Sequence, residues 1–191
     1  MPKLQLSVAM GDYDRTRALF DGTVQIDGVE PTYMLLSPEE MFFRAFRFRD
    51  FDICELSLSS YLVKHAGGNC PYIAIPVFLS RAFRHTAMYV RKDRIRRPED
   101  LKGKRIGVPE YQLTANVWAR SILADDHGVQ PQDVTWVRGG IDQPGRAEKI
   151  ELKLPDGVVM VNAPADTTIS DLLDRCLLYT SDAADDLLCV D

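Results

Sequence analysis

The sequence predicts an α/β fold with mostly parallel strands, divided between two lobes. Three observations support this prediction. Strand-like apolar patterns alternate with helical patterns, a charged stretch at residues 92–105 separates two such series, and 191 residues are enough to bury a substantial core. Hydrophobic residues make up 46% of the chain and charged residues 27%, which excludes collagen-like, disordered and mucin-like proteins.

Residues 1–91 are predicted to form the first lobe. Strands are expected where apolar residues alternate or run together, at residues 3–10, 29–36, 51–56, 72–79 and 86–91. Helices are expected at residues 12–20, from Ser37 onward, and at residues 57–65. The second helix has the clearest start, because Ser37 suits the N-cap, Pro38 suits the first helical position and Glu40 completes a capping box.

Residues 92–105 are predicted to cross between the lobes, with a helical turn at residues 98–101 closed by Gly103. Residues 106–175 are predicted to begin the second lobe. Its strands are expected at residues 106–108, 134–138 and 158–161, and its helices at residues 114–127 and 167–175. Gly128 is expected at the C′ position of the first of these helices.

Residues 176–191 differ from the rest of the chain, since they contain four Asp and no Lys or Arg. The string CLLYTSDAADD resembles one reading frame of the transposase mosaic end and adapter used in sequencing libraries. We therefore expect this segment to derive from adapter sequence and exclude it from the fold. The alternative is a genuine acidic amphipathic tail, which native coding sequence continuing beyond this string would support.

Charge, apolar runs and cysteine spacing exclude several kinds of partner. A formal charge of −5 gives no reason to expect nucleic acid or an anionic membrane, and no apolar run could span a bilayer. The first residues lack a secretory signal pattern, which favours a cytoplasmic protein. No pair among Cys54, Cys70, Cys176 and Cys189 has C-x-x-C spacing, so we expect no metal site. Homo-oligomerisation stays open.

Polar segments follow several predicted strands, at the sheet edge where α/β proteins bind ligands. Hydroxyls near helix N-termini come from Ser59, Ser60 and Thr114, and guanidinium groups come from Arg81 and Arg84. This combination suits a small carboxylate. The plainer alternatives are helix caps for the hydroxyls and solvated surface charges for the arginines.

His85 lies between an arginine and a predicted strand. A lone histidine is more often structural than catalytic, so spacing leaves both roles open. The residue chemistry therefore leads to a two-lobed α/β protein that binds a small carboxylate, but not to a reaction.

Five segments together resemble the 4,5-dihydroxyphthalate decarboxylase family. They are GDYDRTRAL at residues 11–19, FDICELSLSSY at 51–61, AIPVFLSRAFRH at 74–85, DLKGKRIGVPEYQLTANVWARSIL at 100–123, and the pattern GG…PGR…EK at 139–149. The resemblance runs from about residue 3 to Arg175. It implies a type 2 periplasmic-binding-protein-like fold with two lobes. Because family members are longer, it also implies a chain truncated before the second lobe is complete.

The resemblance implies non-oxidative decarboxylation of 4,5-dihydroxyphthalate to 3,4-dihydroxybenzoate (protocatechuate) in aromatic degradation, without an organic cofactor. The carboxylate that stays on the ring needs a cationic or N–H cradle. From residue chemistry at the matching motifs, we assign this cradle to Arg81 or Arg84, helped by Ser59, Ser60 and Thr114.

The same reaction needs an acid that protonates the ring carbon and an acceptor for the phenolic proton. His85 is the first candidate for proton transfer. Glu110 or Asp12 is expected to accept from the phenol, and Tyr111 to position the ring.

Two other functions stay open. The fold is also used to capture solutes, so the chain could bind an aromatic carboxylate for an ABC-type transporter. The absence of an export signal favours the enzyme. A related enzyme acting on another hydroxylated aromatic acid is the second alternative.

We expect the 191-residue chain by itself to be inactive and marginally stable or prone to aggregation, because an incomplete sheet exposes unpaired edges and apolar surface. Size-exclusion chromatography and a thermal melt check this. A monomeric elution profile with a cooperative transition would count against it.

Overall fold

The computed structural model describes residues 2–175 and 180–182, and it divides the chain into two compact units, Met1–Ala82 and Phe83–Asp191. Residues 83–91, which we expected in the first lobe, belong to the second unit, because strand β4 (Met88–Val90) pairs within that unit's sheet. The segment at 176–191 that we attribute to adapter sequence, with Cys176 and Cys189, lies outside the described residues except for 180–182.

The first unit is built on a parallel sheet in which strand β1 lies between its two neighbours. Strand β1 (Leu4–Met10) pairs along its whole length with β2 (Val29–Leu35), and on its other side with the short β3 (Ile53–Cys54). The helices are α1 (Arg17–Phe20), α2 (Pro38–Phe48) and α3 (Leu58–Ala66).

Helix α2 begins where the sequence predicts, since the Ser37 hydroxyl accepts a hydrogen bond from the Glu40 N–H at 3.4 Å. Its apolar face packs onto the sheet, where Met41 and Ala45 are fully buried together with Ala9. This is the 3.6-residue periodicity expected of an amphipathic helix.

Two predictions for this unit are wrong in part or in whole. The helix expected at residues 12–20 is reduced to a 3₁₀ turn at Asp14–Thr16 followed by α1. Residues 72–79 form no strand, and Ile73 is 92% exposed. Pro76 has no N–H to donate to a sheet ladder, and the Val77 N–H instead bonds the Ile75 carbonyl in a local turn at 2.7 Å.

The second unit contains a mixed sheet. Strands β5 (Arg105–Val108), β6 (Thr135–Arg138) and β7 (Val159–Asn162) pair in parallel, and β8 (Thr180–Asp182) lies between β5 and β4, parallel to the first and antiparallel to the second. Residues 180–182 therefore pair within this sheet, although we expected residues 176–191 to lie outside the fold.

Helix α4 (Thr114–His127) contributes Leu123 to this unit's core, where it packs with Val108 and Trp136, and α5 (Ile169–Asp174) covers Val137. Helix α4 ends as predicted, with Gly128 at φ 63°. The turn predicted at residues 98–101 is the 3₁₀ helix Pro98–Leu101. Within the described part of the chain, no helix is both long and apolar enough to cross a membrane.

Candidate active site

The carboxyl ends of β1 and β3 flank a topological switch point in the first unit. The chain runs from β1 to β2 on one side and then crosses to β3 on the other, so the loops after β1 and β3 diverge from adjacent strand ends. In open α/β sheets such a divergence forms the crevice in which ligands bind. Gly11 and Tyr13 follow β1, and Glu55 follows β3.

Tyr13 and Glu55 meet at this point. The Tyr13 hydroxyl donates to Glu55 Oε1 at 2.9 Å and lies 3.1 Å from Oε2, which also accepts from the Gly11 N–H at 3.3 Å. A Cβ at Gly11 would lie 2.8 Å from the Tyr13 ring. Because glycine has no Cβ, the ring can pack directly against the backbone at this position. Burial, and then the Glu55 charge, raise the pKa of the Tyr13 hydroxyl.

A group of serine hydroxyls lies beside the same strand end. Ser57 is the N-cap residue of α3, and its Oγ is 3.3 Å from the Oγ of both Ser59 and Ser60. All three residues are buried, with Ser60 only 2% exposed. The structure thus brings Ser59 and Ser60 together near the predicted ligand edge, inside the first turn of the helix.

The other predicted residues of the first unit are exposed. The Asp12 carboxylate lies 3.6 Å from Arg17 Nη2 on the surface, so it is already paired with a cation. The Arg81 side chain is exposed and donates from Nε to the Phe78 carbonyl at 3.2 Å.

Glu110, in the second unit, is completely buried and fully engaged. Its Oε1 accepts from Arg146 Nε at 2.9 Å and lies 2.8 Å from Arg146 Nη2 and 3.5 Å from Lys149 Nζ. Its Oε2 accepts from Gln112 Nε2 at 3.0 Å and from the Lys149 N–H at 3.1 Å. With 0% exposure and five donors, Glu110 is placed to anchor residues 146–149 to the end of β5 rather than to accept a substrate proton.

Tyr111 is a core residue. Its ring, in a residue only 5% exposed, packs edge-on against Trp136 with 5.6 Å between centroids, and the Arg120 guanidinium lies 3.7 Å from its centroid. The Arg120 Nη1 also donates to the Tyr111 carbonyl at 2.5 Å. The Trp136 contact and the Arg120 cation hold the ring in the core, so at 5% exposure Tyr111 does not present it to a substrate as expected.

The remaining predicted residues are accessible to different degrees. His85 is exposed and Arg84 is half-buried, both in the 3₁₀ helix Arg84–Ala87. Thr114 is the first residue of α4 and is partly exposed, while the N-cap position belongs to Leu113. The placement of these side chains is compatible with ligand contact.

Glu148 is a buried carboxylate near Glu110 that the sequence analysis did not single out. Its Oε1 accepts from the Tyr111 N–H at 2.8 Å, while Oε2 is buried and no described atom hydrogen-bonds to it. Burial, with a smaller contribution from Glu110, raises the pKa of the Glu148 carboxyl. The segments that carry the family resemblance contain Tyr13, Glu55, Arg146 and Glu148. The resemblance was the feature of the sequence that could have pointed to these residues.

We expect the contribution of Glu148 to stability to fall as pH rises above about 4.5, because its pKa is raised in the folded chain and the unfolded chain releases this proton first. In Glu148→Gln this decline is expected to be reduced, since glutamine still accepts from the Tyr111 N–H and does not ionise. Urea unfolding between pH 4 and 7 checks this, with the exposed Glu151→Gln as control. Parallel pH curves for wild type and Glu148→Gln would contradict it.

The described side chains include no group of three His, Cys, Asp or Glu residues arranged to hold a metal ion. Cys54 and Cys70 are free thiols, and burial raises the pKa of Cys54 to about 11, so this thiol stays protonated at neutral pH.

Comparison with known proteins places the chain in a family. Residues 62–147 match the family described as "NMT1/THI5 like". The chain is 67% identical over 174 residues to a 4,5-dihydroxyphthalate decarboxylase of Comamonas testosteroni, and 65% identical over 174 residues to one of Pseudomonas putida. Each alignment covers 91% of this chain, which spans 53% of the first relative and 67% of the second. The chain belongs to the 4,5-dihydroxyphthalate decarboxylase family.

Proposed function

We propose that this chain is part of an enzyme that decarboxylates 4,5-dihydroxyphthalate to 3,4-dihydroxybenzoate in aromatic degradation. The observation that supports this most directly is the identity of 65–67%, sustained over 91% of the chain, to two relatives that carry this name. The mostly parallel strand pairing and the NMT1/THI5 like match agree with the binding-protein-like fold expected from the sequence.

The proposal includes the two-lobed type 2 architecture. The rest of the second lobe would then come from sequence that corresponds to the part of the relatives not spanned by this chain. It also includes a cytoplasmic location, which fractionation of expressing cells would check. The substrate is a dianion, and one of its carboxylates must be held while the other leaves.

Each unit offers groups that suit the retained carboxylate. In the first unit these are the Ser59 and Ser60 hydroxyls and the exposed Arg81, and in the second unit Arg84 and Thr114. Arginine provides a planar fork that matches a carboxylate, and hydroxyls at the start of a helix add donors where the helix dipole favours an anion. Substituting each residue singly and measuring substrate affinity would identify which unit carries the cradle.

His85 is our candidate for proton transfer, because it is exposed and an imidazole can both donate and accept a proton. We expect His85→Ala to lower kcat by roughly 10²-fold, the contribution typical of a positioned acid, with KM nearly unchanged. His65, exposed at the end of α3, provides the control His65→Ala. Undiminished turnover in His85→Ala would reject the assignment.

The proposed function is tested by carbon dioxide release from 4,5-dihydroxyphthalate, with the aromatic product identified by chromatography. Two forms are assayed: the 191-residue chain, and residues 2–175 joined to the part of the Pseudomonas putida relative that the alignment leaves uncovered. Stoichiometric carbon dioxide and 3,4-dihydroxybenzoate from either form would support the proposal. Tight binding without release would favour a solute-binding protein. Release only from a different hydroxylated acid would favour a related enzyme.

A further inference from the structure

The hypothesis that Glu110 or Asp12 accepts the phenolic proton meets two obstacles. Glu110 has no exposed surface and both of its oxygens are taken, and Asp12 is an exposed carboxylate beside Arg17. The reaction proposed above still needs an acceptor, because electron density reaches the ring carbon only as the hydroxyl para to it gives up its proton.

The first unit contains a different acceptor at the switch point. Glu55 follows β3, and its carboxylate receives the Tyr13 hydroxyl, which comes from the loop after β1. The two residues are 42 positions apart in the chain, and the sheet register brings their strands together at Ala9 and Cys54. The pair therefore lies where the topology places a ligand.

The geometry around the pair fixes its orientation. The Gly11 N–H and the Tyr13 hydroxyl both point at Glu55, and the Tyr13 ring lies against the Gly11 backbone. The Arg15 guanidinium is 4.7 Å from the ring centroid, and Arg15 also donates from Nε to the Leu79 carbonyl at 2.7 Å. The Ser80 side chain also hydrogen-bonds to the Tyr13 hydroxyl, so a substrate hydroxyl would take the place of Ser80 there. A phenolic oxygen can accept a hydrogen bond while it donates another to Glu55.

We propose that Tyr13 and Glu55 form a relay that takes the phenolic proton of the substrate and returns it. This inference rests on the proposed function. Tyr13 Oη contacts the hydroxyl para to the departing carboxylate. As an acid protonates the ring carbon, the phenolic proton passes to Tyr13 Oη and the Tyr13 proton passes to Glu55 Oε1.

The step balances in atoms and charge. The new C–H bond forms with a proton from the acid, and the bond to the carboxylate breaks, returning its electron pair to the ring as carbon dioxide leaves. The proton held on Glu55 then moves back through Tyr13 to the oxygen. Tyr13 stays neutral before and after the step, in agreement with burial and the Glu55 charge, which raise the pKa of its hydroxyl.

The test uses whichever form of the chain releases carbon dioxide in the experiment above. We expect Glu55→Gln and Tyr13→Phe each to lower kcat roughly 10²–10³-fold with KM changed only a few-fold. The double variant is expected to be no slower than the slower single variant, because both residues act in one relay. The controls are Tyr33→Phe and Glu30→Gln in β2, which remove a hydroxyl and an exposed carboxylate from the same sheet.

Two readouts separate this relay from a merely structural hydrogen bond. In D₂O, the wild type is expected to exchange the C6 hydrogen of 3,4-dihydroxybenzoate by the reverse of the protonation step, and both variants should lose this exchange while still binding the compound. Formate is expected to restore part of the turnover of Glu55→Ala. Full exchange in Glu55→Gln, or losses of kcat that multiply in the double variant, would overturn the relay and leave the proposed function in place. No carbon dioxide from either wild-type form would overturn the proposed function and the relay with it.

Discussion

Replacing Glu110 by alanine is expected to lower the free energy of unfolding by about 3–5 kcal/mol, the usual cost of removing one partner of a buried ion pair. Arg146 and Lys149 would lose their shared carboxylate while staying largely buried, at 20% and 15% side-chain exposure. The Gln112 amide and the Lys149 N–H would lose an acceptor as well. Urea unfolding at neutral pH measures the loss in residues 2–175 joined to the uncovered part of the Pseudomonas putida relative, because we expect the 191-residue chain by itself to be only marginally stable.

Glu40→Ala provides the matched control for this variant. Glu40 pairs with Arg44 at 3.1 Å, but on the surface, where the carboxylate is 52% exposed and solvent screens the pair. We expect this substitution to change the unfolding free energy little. An equal loss in the two variants would mean that the buried network contributes no more than a surface pair, and would contradict the anchoring role of Glu110.

The parts of the fold that could be predicted are those set by neighbours in sequence. Ser37 and Pro38 start α2, and Gly128 ends α4, because caps act through hydrogen bonds within a few residues. The Glu40 carboxylate, expected to complete a capping box, instead accepts from Arg44 Nη1. The strand predicted at residues 72–79 does not form. The prediction relied on the apolar composition of the segment, whereas Pro76, which has no N–H to donate to a sheet, indicated a segment without strand pairing.

The site was predicted only as far as residue type at strand ends allows. Ser59 and Ser60 lie in the first turn of α3, each with its hydroxyl 3.3 Å from that of Ser57, and their contact with a ligand stays a prediction. Glu110 follows a strand as well, yet nothing local shows that Arg146, 36 residues later, folds back and buries it. Tyr13 and Glu55 were both visible in the motifs, but their contact depends on parallel pairing of β1 with β3. Contacts between distant segments are set by topology, which a single sequence does not specify.

Gly140→Ala is expected to lower the free energy of unfolding by about 3 kcal/mol or more, at the upper end of what overpacking costs. An added Cβ would lie 1.8 Å from the Gln143 carbonyl oxygen, so the turn must open. Gly140 has little freedom to move away, because its own carbonyl accepts from the Ile169 N–H at 2.8 Å at the start of α5.

Opening this turn is also expected to disturb the buried ion pairs of Glu110, because the turn at Gly140 leads directly into the segment that carries Arg146 and Lys149. We therefore expect faster hydrogen exchange at the Lys149 N–H, which donates to Glu110 Oε2, in addition to the loss seen by urea unfolding. Gly67→Ala is the control, since an added Cβ there meets only ordinary contacts at 3.4 Å or more. If Gly140→Ala were as stable as Gly67→Ala, the turn would tolerate a side chain, and its close packing could not be what holds Arg146 against Glu110.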